Sequence, residues 1–324
     1  MDELKLDPEL EQAAEEVRKR RTLARFQSAE DFAAKRAQSA RLAAWMNETL
    51  DRSGVRTETL SIPGPQGTSL RMRLHRPSEP GTAMPCLYTV HGGGMVSGST
   101  LIDDPVLVPL VRELQCVGAS IEYRLAPEHR APAAAEDCYA GLAWLHAQAR
   151  TLGIDPGRIA IRGMSGGGGV AASAVLMARD RGGPELCLQQ LIYPQLDDRN
   201  TSVSSQGDWL AWTREMNLDA WHAVLGERRG SDDVTGYEAA ARATDLSGLP
   251  PTYIDVGAME IFRDESIAYA TRLVRAGIPT EIHVYPGCFH GFELYAPKAR
   301  VSQLALAARR SSLERAWFAA PRAA

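Results

Sequence analysis

The spacing of apolar residues changes character twice along the chain. Up to about residue 50 glycine is almost absent, and Leu10, Ala13, Ala14 and Val17 recur at helical spacing behind Asp7-Pro8, an N-cap followed by a first-turn proline. A second helix start is read at Ser28 with Asp31 three residues on, presenting Phe32, Leu42, Trp45 and Met46 on one face. The apolar repeat is too short for a coiled-coil arm, so two helices lying on a larger body are expected. From Val55 the period drops to two. Thr57 to Ile62, a Pro-Gly-Pro-Gln-Gly turn, and then Leu70, Met72 and Leu74 predict an antiparallel hairpin at one edge of a sheet.

Beyond it, the buried-type run Cys86 to Val90 opens a regular alternation. Helix Pro105 to Leu114 leads to strand Val117 to Tyr123, and helix Pro132 to Ala149 to strand Ile159 to Arg162. An Ala-rich helix after Ser165 leads to strand Leu188 to Tyr193. Strand Thr252 to Val256, helix Ser266 to Ala276, strand Glu281 to Tyr285 and a helix from about Lys298 to Trp317 complete the series. Such alternation predicts an α/β architecture with a mostly parallel central sheet flanked by helices. Residues 195–248 interrupt the rhythm: they show no strand pattern but contain Trp209, Trp212 and Trp221. An insertion of that length after a strand's C-terminal end is placed to cover a site, or else its tryptophans simply pack on the sheet.

Bulk properties narrow the class. A chain of 324 residues with 44% hydrophobic content buries a large core, and a net charge of −4 argues against a nucleic-acid partner. The five cysteines (86, 116, 138, 187 and 288) show no Cys-x-x-Cys spacing, against a disulfide framework or zinc ribbon and in favour of a reducing compartment. No secretory leader and no apolar stretch of about 18 residues is visible, so a cytoplasmic protein outside the membrane is expected.

The chemistry is concentrated where a short β-branched run ends in Gly163-Met164-Ser165-Gly166-Gly167 and opens into a helix. Gly-x-Ser-x-Gly in that context is a nucleophile elbow, a sharp turn that exposes one serine hydroxyl; the phosphate-loop alternative lacks its Gly-Lys-Ser/Thr. A serine needs a base, and the base a carboxylate to orient it. Of seven histidines, His290 alone lies in a glycine-flanked loop after the last strand, as the chain order Ser, acid, His requires. For the acid, the loop after Val256 offers Glu260, nearest the strand end, and Asp264 as second choice; Asp264 and Glu265 also suit capping of the next helix. Asp197 and Asp198 are more remote candidates, and Asp255 falls inside a strand. His91-Gly92-Gly93-Gly94 after an early strand can present N–H groups to an oxyanion, with Gly166 supplying another, while His91 holds the loop.

Taken together, His91-Gly-Gly-Gly94, Tyr123-Arg-Leu-Ala-Pro-Glu128, Gly163-Met-Ser-Gly-Gly167 and Phe289-His-Gly-Phe292 resemble the hormone-sensitive-lipase family of bacterial esterases, of the α/β-hydrolase fold, from roughly residue 55 to the end. The resemblance implies a serine carboxylic-ester hydrolase acting on a small-molecule ester of short to medium acyl chain, or on a specialised ester, through an acyl-enzyme and without metal or organic cofactor. It implies an N-terminal helical cap, here residues 1–50, over a catalytic domain at 51–324, while the length and position of 195–248 mark it as a lid-like insertion. Trp209, Trp212, Met164 and Phe289 are the expected pocket residues, with Phe32 and Trp45 as further candidates, and a homodimer through the last strand or helix is a further expectation. Two positions depart from the family pattern Gly-Asp-Ser-Ala-Gly-Gly, namely Met164 and Gly166. Glu260 stands where the family commonly has Asp, which favours it over Asp264. The same motifs also suit amidases, lactonases and transacylases, and folds of this kind host non-catalytic ligand-binding members.

Overall fold

The computed structural model describes residues 4–20 and 25–318. Residues 1–3, 21–24 and 319–324, which belong to the expected cap segment and to the end of the expected catalytic domain, lie outside the described residues. The elements run α1 (Glu11–Arg20), α2 (Ala29–Glu48), β1 (Val55–Pro63), β2 (Ser69–Pro77), β3 (Met84–Val90), α3 (Asp104–Leu114), β4 (Val117–Glu122), α4 (Ala133–Ala147), β5 (Ile154–Met164) and α5 (Gly166–Asp180). They continue with β6 (Leu188–Ile192), α6 (Arg214–Leu225), β7 (Thr252–Gly257), α7 (Arg263–Arg275), β8 (Thr280–Tyr285), α8 (Phe292–Tyr295) and α9 (Arg300–Phe318).

The eight strands form one sheet in the order β1-β2-β4-β3-β5-β6-β7-β8. The β1-β2 hairpin pairs antiparallel and docks antiparallel on β4, whereas β4 through β8 and β3 are parallel. This is the α/β-hydrolase architecture. Every residue of β3 is buried, which is why that strand reads as a continuous apolar run rather than an alternating one: both sheet faces are covered. Ile159 and Ile161 of β5 point to the face packed by α4, α5 and α7, and Ala160 to the face packed by α3 and α9. β5 begins at Ile154, earlier than its Asp155-Pro156-Gly157 sequence suggests, because the ladder with β3 continues across an irregularity between Met84 and Cys86.

Both N-terminal helices pack on the body near the C-terminal ends of the strands. Ser28 and Asp31 form a reciprocal capping box at the start of α2. Of the apolar face expected for α2, Phe32 is buried while Trp45 stays 51% exposed. Leu10, Ala14 and Val17 of the first segment pack against Cys288, Phe289 and Phe292, beside the loop that carries His290. Asp219 of α6 ties residues 25–27 to that helix: it accepts from Arg25 Nε at 2.7 Å, from Phe26 N at 3.0 Å and from Gln27 Nε2 at 3.0 Å. Among the described residues, no helix is long and apolar enough to cross a membrane. All five cysteines are unpaired.

Candidate active site

Ser165 sits between β5 and α5 with φ 57° and ψ −124°, a left-handed conformation that is strained for a side-chain-bearing residue. The surroundings hold it there. Its N–H donates to Ile192 O at 2.9 Å, and its own carbonyl accepts from Gly168 N at 2.8 Å and Gln195 N at 3.0 Å. Glycine before the turn is a steric requirement, since a Cβ on Gly163 would lie 2.3 Å from Gly167 O. Gly166 has a different neighbour: its missing Cβ would lie 2.7 Å from Met95 N and 2.8 Å from Gly94 N, both in the segment after His91. That close approach gives a physical reason for glycine where the family pattern has alanine.

His290, in the loop between β8 and α8, bridges the serine to a carboxylate. Its Nε2 lies 3.0 Å from Ser165 Oγ, and its Nδ1 makes a short contact to Glu260 Oε2. Glu260 is fully buried at the turn after β7, where its other oxygen accepts from Gly257 N at 3.1 Å. Burial pushes its carboxyl above the ordinary value; the His290 ring and the Gly257 N–H oppose that shift by favouring the ionised form. The imidazole is wedged edge-on between two aromatic rings, Tyr193 with centroids 4.5 Å away and Phe262 at 5.2 Å.

The other carboxylates are engaged elsewhere. Asp264 accepts from Ser204 N at 2.7 Å and pairs with Arg263 at 2.7 Å, and Glu265 accepts from Leu196 N at 2.7 Å. Asp197 pairs with Arg199 and Asp198 with Arg242. Asp255, inside β7, is held by Arg309 Nε at 2.6 Å. Beneath the site Arg309 also donates to Glu293 Oε1 at 2.6 Å, and that oxygen accepts from Tyr193 OH at 2.7 Å. A buried ionic cluster thus supports the ring that packs on His290.

Gly92 lies beside the serine, since a Cβ built on it would be 3.5 Å from Ser165 Cβ. Gly93 has φ 129°, and its carbonyl accepts from Ser97 N at 3.0 Å, which turns the segment sharply. His91 stacks on Tyr123 with centroids 4.2 Å apart, and its Nδ1 lies 3.0 Å from Gly92 O. These contacts hold the glycine segment against the elbow.

Ser165, His290, Gly92, Gly93 and Met164 open onto a cavity of about 550 Å³, within the range of small-molecule sites. Trp212 and Trp45 line it as expected, with Lys35 from α2. Trp209, Phe289 and Phe32, also expected there, are absent from its wall, and Phe32 packs instead against Phe26 with ring centroids 5.6 Å apart. The Trp209 indole turns inward to donate to Ser204 O at 2.6 Å, and Phe289 packs into the cluster with Leu10 and Cys288. Side-chain direction in loops is set by such tertiary partners, and spacing alone does not reveal it. Tyr193, Phe262 and Lys35 escaped the sequence reading. For Tyr193 the only available signal was its place directly after β6.

Known proteins resemble this chain in sequence and in fold. A family model described as an α/β-hydrolase fold matches residues 87–294. Carboxylic ester hydrolase LipN of Mycobacterium tuberculosis is 37% identical over 72% of this chain and 63% of its own length. Esterase LipI of the same organism is 35% identical over 75% of this chain and 76% of its own. Among solved structures, a bacterial heroin esterase superposes with a TM-score of 0.89 at 40% identity, covering 97% of this chain and 98% of that one. Esterase LipW from Mycobacterium marinum gives 0.83 at 32%, covering 97% and 96%. With motifs, sheet order and relatives in agreement, the chain belongs to the hormone-sensitive-lipase-type carboxylesterases of the α/β-hydrolase fold.

Proposed function

We propose that this chain hydrolyses small carboxylic esters with Ser165 as nucleophile, His290 as general base and Glu260 as the carboxylate that orients the imidazole. The observation that supports it best is the unbroken hydrogen-bonded path from Glu260 through His290 to Ser165 Oγ, ending in the cavity. Ser165 Oγ attacks the ester carbon while His290 Nε2 takes the hydroxyl proton, and Glu260 stabilises the imidazolium that forms. Negative charge moves to the carbonyl oxygen, where N–H groups of Gly92, Gly93 and Gly166 receive it. Collapse expels the alcohol, protonated by His290, and leaves an acyl-enzyme. Water then adds with His290 again as base, and the carboxylic acid departs.

Residues 1–50 and the lid-like 195–248 act in this reading as the cover of the cavity, a role supported by the Asp219 tie between them and by Trp212 and Trp45 in the wall. A cavity of about 550 Å³ suits short to medium acyl chains. The β8 edge, where Ile282 and Val284 are each 38% exposed, is the surface through which two copies would pair. Five unpaired cysteines agree with a cytoplasmic setting.

Turnover of p-nitrophenyl acetate and butyrate tests the mechanism. The wild-type chain is expected to release p-nitrophenol with a pre-steady-state burst, and Ser165→Ala to lose it. Undiminished turnover in Ser165→Ala would rule out the assignment.

A further inference from the structure

In a protein whose net charge is −4, the described wall of the active-site cavity carries Lys19, Lys35 and Arg41 and no Asp or Glu. The three cations are not equivalent. Lys19 is solvent-exposed, and its ammonium lies 3.9 Å from Glu15 and 3.6 Å from Glu16, so its charge is already answered. Arg41 is exposed on α2. Lys35 is half-buried one helical face further in, on the same stripe of α2 as Ser39, Leu42 and Trp45, which also line the cavity.

No carboxylate among the described residues forms an ion pair with Lys35. Its ammonium lies over the face of Trp212, with Nζ 5.2 Å from the ring centroid. Burial pulls the ammonium down to about 8, the direction expected where no anion compensates the lost water. At neutral pH the group is still mostly protonated.

The indole beneath it is fixed at both ends. Trp212 Nε1 donates to Asn217 Oδ1 at 3.2 Å, and the ring tip rests on Gly94, where a Cβ would lie 2.4 Å from Trp212 Cη2. Gly94 in turn abuts Gly166 beside the nucleophile. Lys35 therefore stands one indole ring away from the segment read as the oxyanion site. A half-buried cation on a rigid aromatic floor, with its electrostatic partner missing, is arranged to meet an anionic group brought by a ligand.

Resting on the reading of the cavity as an ester-hydrolysing site, we infer that the preferred substrate is an ester bearing a carboxylate remote from the scissile bond, and that Lys35 binds that carboxylate. A neutral ester of equal length leaves the ammonium without an anionic partner in a site of reduced hydration, and a cationic ester meets like charge. The preference arises in binding and orientation of the substrate, so it falls on kcat/KM.

Two substrate pairs test it and distinguish the two sides of the ester. On the acyl side, 4-nitrophenyl hemiadipate is compared with 4-nitrophenyl hexanoate; on the alcohol side, 4-acetoxybenzoate is compared with its methyl ester. The wild-type chain is expected to favour the anionic member of at least one pair by roughly tenfold or more in kcat/KM, the scale of one charge-assisted hydrogen bond. Lys35→Met is expected to abolish the preference, and Lys35→Arg to keep most of it. Melting temperatures of both variants separate a lost contact from lost folding. Equal kcat/KM within both pairs, or a preference that survives in folded Lys35→Met, overturns the inference while ester hydrolysis stands. Failure to turn over any of the four esters would overturn the underlying reading of the site as well.

Discussion

Replacing Gly166 by alanine sets two effects against each other. Alanine is the residue common in the family at this position, and it would stiffen the first turn of α5. The gain from restricting the unfolded chain is about 0.4–1 kcal/mol where the new side chain fits. Here it does not fit: the added Cβ would stand 2.7 Å from Met95 N and 2.8 Å from both Gly94 Cα and Gly94 N. Ordinary contact begins at 3.4 Å, so backbone on one side must retreat by roughly 0.7 Å. Relief by a side-chain rotation is not available, because the opposing atoms are main chain. Overpacking of this kind costs about 1–3 kcal/mol, which offsets or exceeds the entropic gain.

The larger consequence is geometric. The backbone that must move is either Gly94-Met95, which directly follows Gly93, or Gly166 itself, and Gly93 and Gly166 are both assigned to the oxyanion; a displacement approaching 1 Å in a catalytic group costs on the order of a hundredfold in rate. Gly166→Ala is expected to lower kcat on p-nitrophenyl butyrate ten- to a hundredfold by that scale, with KM changing little, since the lost interaction is made mainly in the transition state. Steady-state kinetics with a parallel thermal melt reads both effects. A variant as fast as wild type would mean that the glycine segment is not the oxyanion site or is not held against Gly166.

Three further outcomes follow from the same contacts. Glu260→Gln is expected to reduce kcat by up to about 10⁴-fold, as loss of the orienting carboxylate does in serine hydrolases, whereas Asp264→Asn, whose carboxylate serves Ser204 and Arg263, should cost mainly stability, about 1 kcal/mol. Arg309→Met leaves Asp255 and Glu293 buried without their shared cation, and chemical denaturation should register a loss of about 3–5 kcal/mol. The Arg36–Glu128 pair, which fastens α2 to the body, holds the Glu128 carboxyl down to about 2 through its hydrogen bonds to the guanidinium. A depressed carboxylate stabilises the fold above its ordinary pKa of about 4.3 and loses that contribution as pH falls toward 2. Melts of wild type and Glu128→Gln should therefore differ above about pH 4 and converge below it, by less than about 1 kcal/mol because the pair is partly exposed.

The sheet and its helices were legible because both faces are covered: continuous apolar strands such as Met84–Val90 and amphipathic or small-residue helices leave a strong alternating signal. The edge hairpin was legible for the opposite reason, through its period of two. Where the nucleophile elbow falls could be read from glycines set between a strand and a helix, and the close backbone approaches at Gly163, Gly166 and Gly167 give those glycines their reason. The histidine and the carboxylate were placed by chain order, which works because each follows the end of a neighbouring parallel strand on one side of the sheet.

What the sequence withheld depends on directions rather than positions. Trp209 and Trp212 are three residues apart in one loop, yet one donates inward to Ser204 O and the other rests on Gly94. Tyr193 and Phe262 come from loops after different strands and meet only across the His290 ring. Lys35 reads as an ordinary solvated helix residue among Ala33, Ala34 and Arg36; only the folded arrangement of α2 against the 195–248 segment turns it toward the cavity.

Covalent labelling tests, with the fewest assumptions about substrate, whether Ser165 is the residue that becomes acylated. Incubation with a fluorophosphonate followed by intact-mass and peptide mass spectrometry is expected to show one adduct per chain, on the peptide containing Ser165, blocked in Ser165→Ala and slowed in Glu260→Gln. An adduct elsewhere, or labelling undiminished in Ser165→Ala, would exclude Ser165 as the nucleophile.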